Sequence, residues 1–144
     1  MIREAALADV PALTQVESAC FVEDAWNAAL VESEVSADTR SVLLASDEST
    51  VTGYGSIMVV DDVADLQRIA VIPGARRGGL GRELLGELLA KASRLGATRI
   101  MLEVAAENAP AIGLYDSFGF SEISRRRNYY ANGVDALVME LALS

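Results

Sequence analysis

The sequence has no histidine and a single cysteine, Cys20, among 144 residues. Without an imidazole base, Ser-His and Cys-His catalytic pairs are excluded. The same shortage removes the usual ligands of a structural zinc site, so no metal is expected. One cysteine cannot close an internal disulfide, which suits a reducing compartment. Only 6% of residues are aromatic although 51% are hydrophobic, so Leu, Val, Ile and Ala must build the core. No apolar run approaches the ~18 residues that suggest a membrane span, and no membrane association is expected. Met1-Ile-Arg-Glu4 has no basic stretch leading into an apolar one, and the expected location is cytoplasmic. Basic charge is scarce too: 12 Lys and Arg stand against 21 Asp and Glu, a net −9. That sign disfavours direct nucleic-acid binding.

The charge is unevenly spread. Residues 1–60 carry two basic and ten acidic side chains, residues 61–144 ten and eleven. The arginines of the second part cluster at Arg76, Arg77 and Arg82, and again at Arg125-Arg126-Arg127. One reading is an ordinary acidic surface. The sharper one pairs an acidic half that attracts a cationic substrate with a basic loop that holds an anion.

Local patterns place the elements. Ile2–Ala5 reads as a strand, and Asp9 as the N-cap of a helix running to about Cys20, with Pro11 in its first turn. Asn27 caps a second short helix. Ser41–Ala45 and Val51–Val60 are strands, the latter interrupted by Gly53 and Gly55, which mark a bulge or a close backbone approach. Asp61-Asp62 reverses the chain, so Ala64–Ile72 pairs antiparallel with the strand before it. Leu80, Leu84, Leu85, Leu88, Leu89, Ala92 and Leu95 recur at helical spacing up to Gly96, predicting a long amphipathic helix with a left-handed stop. The strand Ile100–Val104 completes a parallel βαβ unit. Ala109–Phe118 is a short helix, and Phe120–Tyr130 with Asp135–Leu143 a hairpin around Asn132-Gly133. The whole, residues 1–144, reads as one α/β domain with a mixed sheet.

The stretch Arg68–Arg82 organises the rest. A buried strand runs into a glycine- and arginine-rich turn that opens directly onto the long helix. Such a turn presents unpaired backbone N–H groups and a positive dipole end to an anion. Gly74 and Gly79 have P-loop spacing, but Leu80-Gly81 stands where Lys and Ser or Thr belong. Gly79-Leu80-Gly81 begins a dinucleotide fingerprint, but Leu84 holds the third glycine position. ATP, GTP and NAD lose most of their support.

What remains, Arg76-Arg77-Gly78-Gly79-Leu80-Gly81 after Ile69-Ala70-Val71, resembles the pyrophosphate-binding signature of the GCN5-related N-acetyltransferases, which use acetyl-CoA. Asn108 through Ala111, Leu114-Tyr115 and Gly119-Phe120 resembles a second block of that family. Arg126-Arg-Asn-Tyr-Tyr130 looks like its protein N-terminal acetyltransferases. The likeness covers essentially the whole chain, weakly over residues 1–60 and strongly from Leu66 onward. It implies a mostly antiparallel central sheet flanked by about four helices, with a C-terminal hairpin. It also implies that Ile69, Ala70 and Val71 line the pantetheine arm, that Arg76 to Arg82 (with Arg77, Gly78, Gly79, Leu80 and Gly81) wrap the pyrophosphate, and that Asn108 touches the pantetheine end. Glu103 matches the general base and Tyr115 the acid that protonates the departing thiolate. Trp26, Tyr129 and Tyr130 are candidates for contact with the acceptor. The resemblance implies a protein or peptide N-terminus as partner, with the alanine of a small-subunit ribosomal protein as the expected case. There are departures: Gly78 replaces a basic residue usual in the turn, and Ala105-Ala106-Glu107 stands where close relatives carry Arg-Ala-Ser.

These roles make chemical sense. A protein α-amine has a pKa near ~7.7–8.0, so a fraction is neutral at pH 7 and one carboxylate suffices as base. A lysine at ~10.4 needs more help. A small-molecule amine or lysine side chain as acceptor, and a non-catalytic coenzyme A-binding module, remain the alternatives.

Overall fold

The computed structural model describes residues 1–76 and 78–143; Arg77, one of the expected anion-binding residues, lies outside the described residues. In chain order the elements are β1 (Ile2–Glu4), α1 (Val10–Cys20), α2 (Ala28–Ser36), β2 (Arg40–Asp47), β3 (Thr50–Val60) and β4 (Val63–Val71). They continue with α3 (Leu80–Arg94), β5 (Arg99–Ala105), α4 (Ala109–Phe118), β6 (Ser121–Arg126) and β7 (Ala136–Ala142). The strands form one sheet in the order β1-β2-β3-β4-β5-β7-β6. Every neighbouring pair is antiparallel except β4 with β5. This is the mixed, mostly antiparallel sheet with four helices and a C-terminal hairpin that the sequence leads one to expect.

Each face of the sheet has its own core. On one face Leu85, Leu88 and Ala92 of α3 pack with Ile57, Ala64, Ile100, Leu102, Val104 and Tyr115. On the other, Val10, Leu13 and Val16 of α1 and Val31 of α2 cover Val42, Leu44, Tyr54 and Ala70. Helical spacing in α1 and α3 supplies one apolar stripe per helix, and strand alternation supplies the two sides of the sheet. The glycines of β3 mark close approach, and Gly53 also borders a bulge, since Ala45 pairs with Gly53 and Ser46 with Val51, leaving Thr52 as an extra residue. A Cβ on Gly55 would stand 2.5 Å from Leu88 Cδ1, and one on Gly53 2.7 Å from the Ala70 carbonyl oxygen. They let α3 and β4 close onto β3.

Two local expectations need correction. Asp9 sits at the N-cap position of α1 but makes no cap bond there. Its carboxylate turns back instead, taking the Ala6 N–H and both terminal nitrogens of Arg3 at 2.8–2.9 Å. The arginine two strand positions away from Ala5 outcompetes the cap, since a bidentate charged pair is the stronger bond. The C-terminal hairpin is shorter than expected: β6 ends at Arg126, so Tyr129 and Tyr130 lie in the connecting loop. Asn128 takes a left-handed conformation with φ of 51°, and its N–H bonds the Asp135 carboxylate at 3.0 Å. Left-handed backbone cannot continue a strand.

Candidate active site

The parallel ladder between β4 and β5 has three rungs, Val63↔Arg99, Ala64↔Ile100 and Asp65↔Met101. Past them the strands part. Leu66–Ile69 and Leu102–Ala105 become opposite walls of an open cleft of about 800 Å³. At the same point β4 carries a bulge: Arg68 pairs with Ser56 and Leu66 with Ile57, leaving Gln67 as the extra residue. The bulge resets the alternation of β4. Leu66 and Ile69 pack toward α3, while Arg68 reaches α1.

The parting strips β4 of a partner on one edge. Ile72 N–H bonds the Thr52 carbonyl at 2.9 Å, and in an antiparallel pair such residues alternate. Ala70 and Arg68 therefore direct their peptide groups at β3, and Ile69 and Val71 direct theirs toward the gap. Consistent with this, the Val71 carbonyl accepts from side chains, Arg76 Nε at 2.9 Å and Cys20 Sγ at 3.3 Å. Burial pushes the Cys20 thiol upward, so it stays a thiol. Ile69 lines the cleft, whereas Ala70 is buried against the α1 side.

Beyond β4, Pro73–Ala75 makes a short turn, and Gly79 precedes α3 with φ of 83°. A side chain is strained in that conformation. Among the described residues, no side chain caps this helix end; its first intrahelical bond is Glu83 N–H to the Gly79 carbonyl. The N–H groups of Leu80, Gly81 and Arg82 thus lack intrahelical partners. Among the described residues, a Cβ on Gly78 or Gly79 would meet nothing closer than 4.0 Å, so the turn is open to that extent. Arg82 crosses to α4, donating to Ser117 Oγ at 2.8 Å and lying over the Phe118 ring.

Glu103 and Tyr115 reach the cleft from different sides. On β5, Ile100, Leu102 and Val104 belong to the α3 core; Glu103 alternates to the opposite face. Its carboxylate lies 3.3 Å from Arg126 Nε. Tyr115 is held by α4 within the α3 core, its ring tilted against Phe120 at 5.6 Å. Only 5% of Tyr115 is exposed, and burial, helped by Tyr130, pushes its phenol up to about 12. Both residues line the same cleft. The gap between β4 and β5 is therefore a passage from one face of the sheet to the other, with a carboxylate on one side and a phenol on the other.

Of the remaining expected residues, Asn108 lines the cleft and also caps α4, its Oδ1 accepting the Ala111 N–H at 3.3 Å. That leaves the Asn108 NH2 group as the end available to a ligand. Tyr130 lines the cleft, and burial, with Glu103 next among the causes, raises its pKa. Tyr129 is half exposed, edge-on to Tyr130 at 5.2 Å, and is not part of the cleft wall. Trp26 is also outside the wall; it packs against the α1 core and over Arg68.

The sequence reading missed a buried network beside the cleft. Glu17 of α1, wholly buried, accepts the Tyr54 hydroxyl, Arg68 Nε and Nη2 at 3.0 and 2.6 Å, and the Trp26 N–H at 2.8 Å. Burial works to raise the Glu17 pKa, but the bonds from Arg68 and Tyr54 hold it below the usual range. Burial and Glu17 together raise Tyr54. One signal was present: Glu17 adjoins Val16 on the apolar stripe of α1, where an unpaired charge is costly.

Residues 10–120 match the acetyltransferase (GNAT) family, and the chain belongs to it. The ribosomal protein bS18-alanine N-acetyltransferase of Escherichia coli is 45% identical over 94 residues, 63% of this chain and 64% of the relative, so the match spans less than two thirds of that protein. The Salmonella typhimurium protein of the same name is 36% identical over 139 residues, 94% of this chain and 93% of the relative. The crystal structure of the ribosomal-protein-S18-alanine N-acetyltransferase from Escherichia coli aligns with a TM-score of 0.93 at 34% identity, over 100% of this chain and 94% of that one.

Proposed function

We propose that this chain transfers the acetyl group of acetyl-CoA to the α-amine of a protein N-terminus, with the N-terminal alanine of a small-subunit ribosomal protein as acceptor. The observation that carries the reading is the joining of Glu103 and Tyr115 by one cleft from opposite faces of the sheet. The names of the relatives support the acceptor.

The residues fit the donor. The Ile69 peptide group and the Val71 N–H, turned toward the gap, suit an extended amide-bearing arm, as strand addition does. The open turn at Gly78 and Gly79, with the N–H groups of Leu80, Gly81 and Arg82, suits a pyrophosphate. Arg76 and Arg82 lend positive charge there, and Asn108 offers its NH2 group. Acetyl-CoA brings an activated thioester, so no covalent enzyme intermediate is needed. Glu103, on the acceptor face, takes the proton of the attacking amine directly or through one water. Tyr115, on the donor face, is kept protonated by burial and gives its proton to the departing sulfur. The acceptor enters on the Glu103 side, between the Phe21–Asp24 segment and the loop bearing Tyr130.

The test is an acetylation assay with mass readout on a library of N-terminal peptides. An alanine-initiated peptide should gain one acetyl group with release of one free thiol. No thiol release on any α-amine would refute the reading, and a rate that climbs steeply to pH 9–10 would shift the acceptor to a more basic amine.

A further inference from the structure

We propose that Arg68 is the positioning residue that sets affinity for the acceptor, by clamping the Phe21–Trp26 segment into place as one wall of the acceptor side of the cleft. This rests on the acceptor reading above and deepens it. The segment has no regular structure, yet Phe21, Glu23 and Asp24 line the cleft. Among the described residues, its hydrogen bonds are three. Phe21 N–H closes the end of α1 on the Glu17 carbonyl. The other two converge on one ion pair: Trp26 N–H donates to the Glu17 carboxylate at 2.8 Å, and Arg68 Nη2 donates to the Asp24 carbonyl at 2.9 Å.

The guanidinium does more than pair. It lies 3.7 Å from the centre of the Phe21 ring and 4.6 Å from that of Trp26, while its fork grips Glu17 bidentately. Planarity allows Arg to stack and to bond at its edge at once, which lysine cannot do. With its side chain 13% exposed and that of Glu17 wholly buried, the pair is little screened by solvent. Arg68 itself lines the cleft, on the face opposite the turn at Gly78–Arg82. Its loss should therefore be felt by the acceptor and not by acetyl-CoA.

Arg68→Met alone strands a buried carboxylate and threatens the fold. The informative variant is the pair Glu17→Gln with Arg68→Met, in which the new amide oxygen on α1 still accepts from the Trp26 N–H and the new amide nitrogen donates to the Tyr54 hydroxyl oxygen. In the full chain, KM for an alanine-initiated peptide should rise roughly tenfold with kcat changed by less than about threefold and acetyl-CoA affinity held within about twofold. Trp26 is the sole tryptophan, so acrylamide quenching of its emission reads the segment without turnover and should increase in the variant. An unchanged peptide KM, an unchanged quenching, or an equal loss of acetyl-CoA affinity overturns the proposal. A parent protein that acetylates no peptide overturns it together with the acceptor reading; a parent that does, beside a variant with unaltered KM, overturns the role of Arg68 alone.

Discussion

Burial of Tyr115 against Phe120 pushes its phenol up to about 12 from an ordinary value of 10, with consequences for chemistry and for stability. Below pH 10 the proton stays in place, so Tyr115 contributes no alkaline limb to the rate there. Tyr115→Phe should lower kcat by about 100-fold while leaving acetyl-CoA affinity unaltered, measured by steady-state kinetics and calorimetry. Glu103→Gln should cost on the order of 10² to 10⁴ in kcat at neutral pH in the same assay. Stability has its own sign. A group whose folded pKa is raised contributes in full below the unfolded value and loses that contribution as pH rises through the folded one. Denaturant unfolding of the parent should therefore weaken between about pH 10 and pH 12, and Tyr115→Phe should show a shallower fall. Some fall remains, because Tyr54 is raised as well.

At the scale of elements, the two glycines of β3 differ in what a methyl group would strike. On Gly53 it meets the Ala70 backbone oxygen at 2.7 Å, which cannot move without β4. On Gly55 it meets the flexible end of Leu88 at 2.5 Å and a backbone oxygen, that of Arg68, only at 3.2 Å. Gly53→Ala should be the more destabilising, by about 1–3 kcal/mol, with Gly55→Ala milder in thermal or urea unfolding. The start of α1 answers to acid. The bonds from Arg3 and the Ala6 N–H, partly opposed by burial, hold Asp9 down at about 2 against an ordinary 3.8. That contribution is complete above the ordinary value and vanishes as pH falls through 2. Asp9→Asn should thus lower the midpoint of unfolding at pH 6 and matter little near pH 2. Much at this scale was legible in the chain. The leucine spacing of α3, the Asn27 cap, which accepts the Leu30 N–H at 2.9 Å, and the turn at Asp61-Asp62 are all local patterns. Glu17 with Arg68 was not, because 51 residues separate them and nothing short-range ties a helix acid to one arginine among several. Tyr129 and Tyr130 were misplaced into a strand since the left-handed Asn128 depends on Asp135 across the loop.

For the whole molecule, the excess of acid lies in residues 1–60, and four carboxylates, Glu23, Asp24, Glu103 and Glu107, line the cleft. Set against the one arginine of its wall, Arg68, this excess of acid draws in positive charge and loses that pull with salt. For a peptide with a free α-ammonium group, kcat/KM should fall as ionic strength rises from about 0.01 to 0.15 M, while kcat stays level. The strand–turn–helix junction that opens at Gly79 could be read from the order of residues alone, since glycines and arginines meet there before the leucine stripe of α3. The passage through the sheet could not, as it arises only where β4 and β5 stop pairing.

Gln67 gives that passage a further consequence, one of length. Because Gln67 is the residue β4 carries beyond its partner, removing it restores plain alternation with Arg68 still opposite Ser56, whereas removing Ala70 or Val71 makes the strand slide through the bulge and puts Arg68 and Ile69 each on the other's face. Arg68 would then turn into the leucines of α3, and Ile69 toward Glu17. Side-chain substitutions in this strand are graded in effect, whereas changes of length beyond the bulge are all-or-none. A library of single-residue deletions should therefore recover active clones lacking Gln67 and none lacking Ala70 or Val71. In β4 the one residue that can be spared is the one the bulge holds outside the pairing; the rest of its count is part of the chemistry.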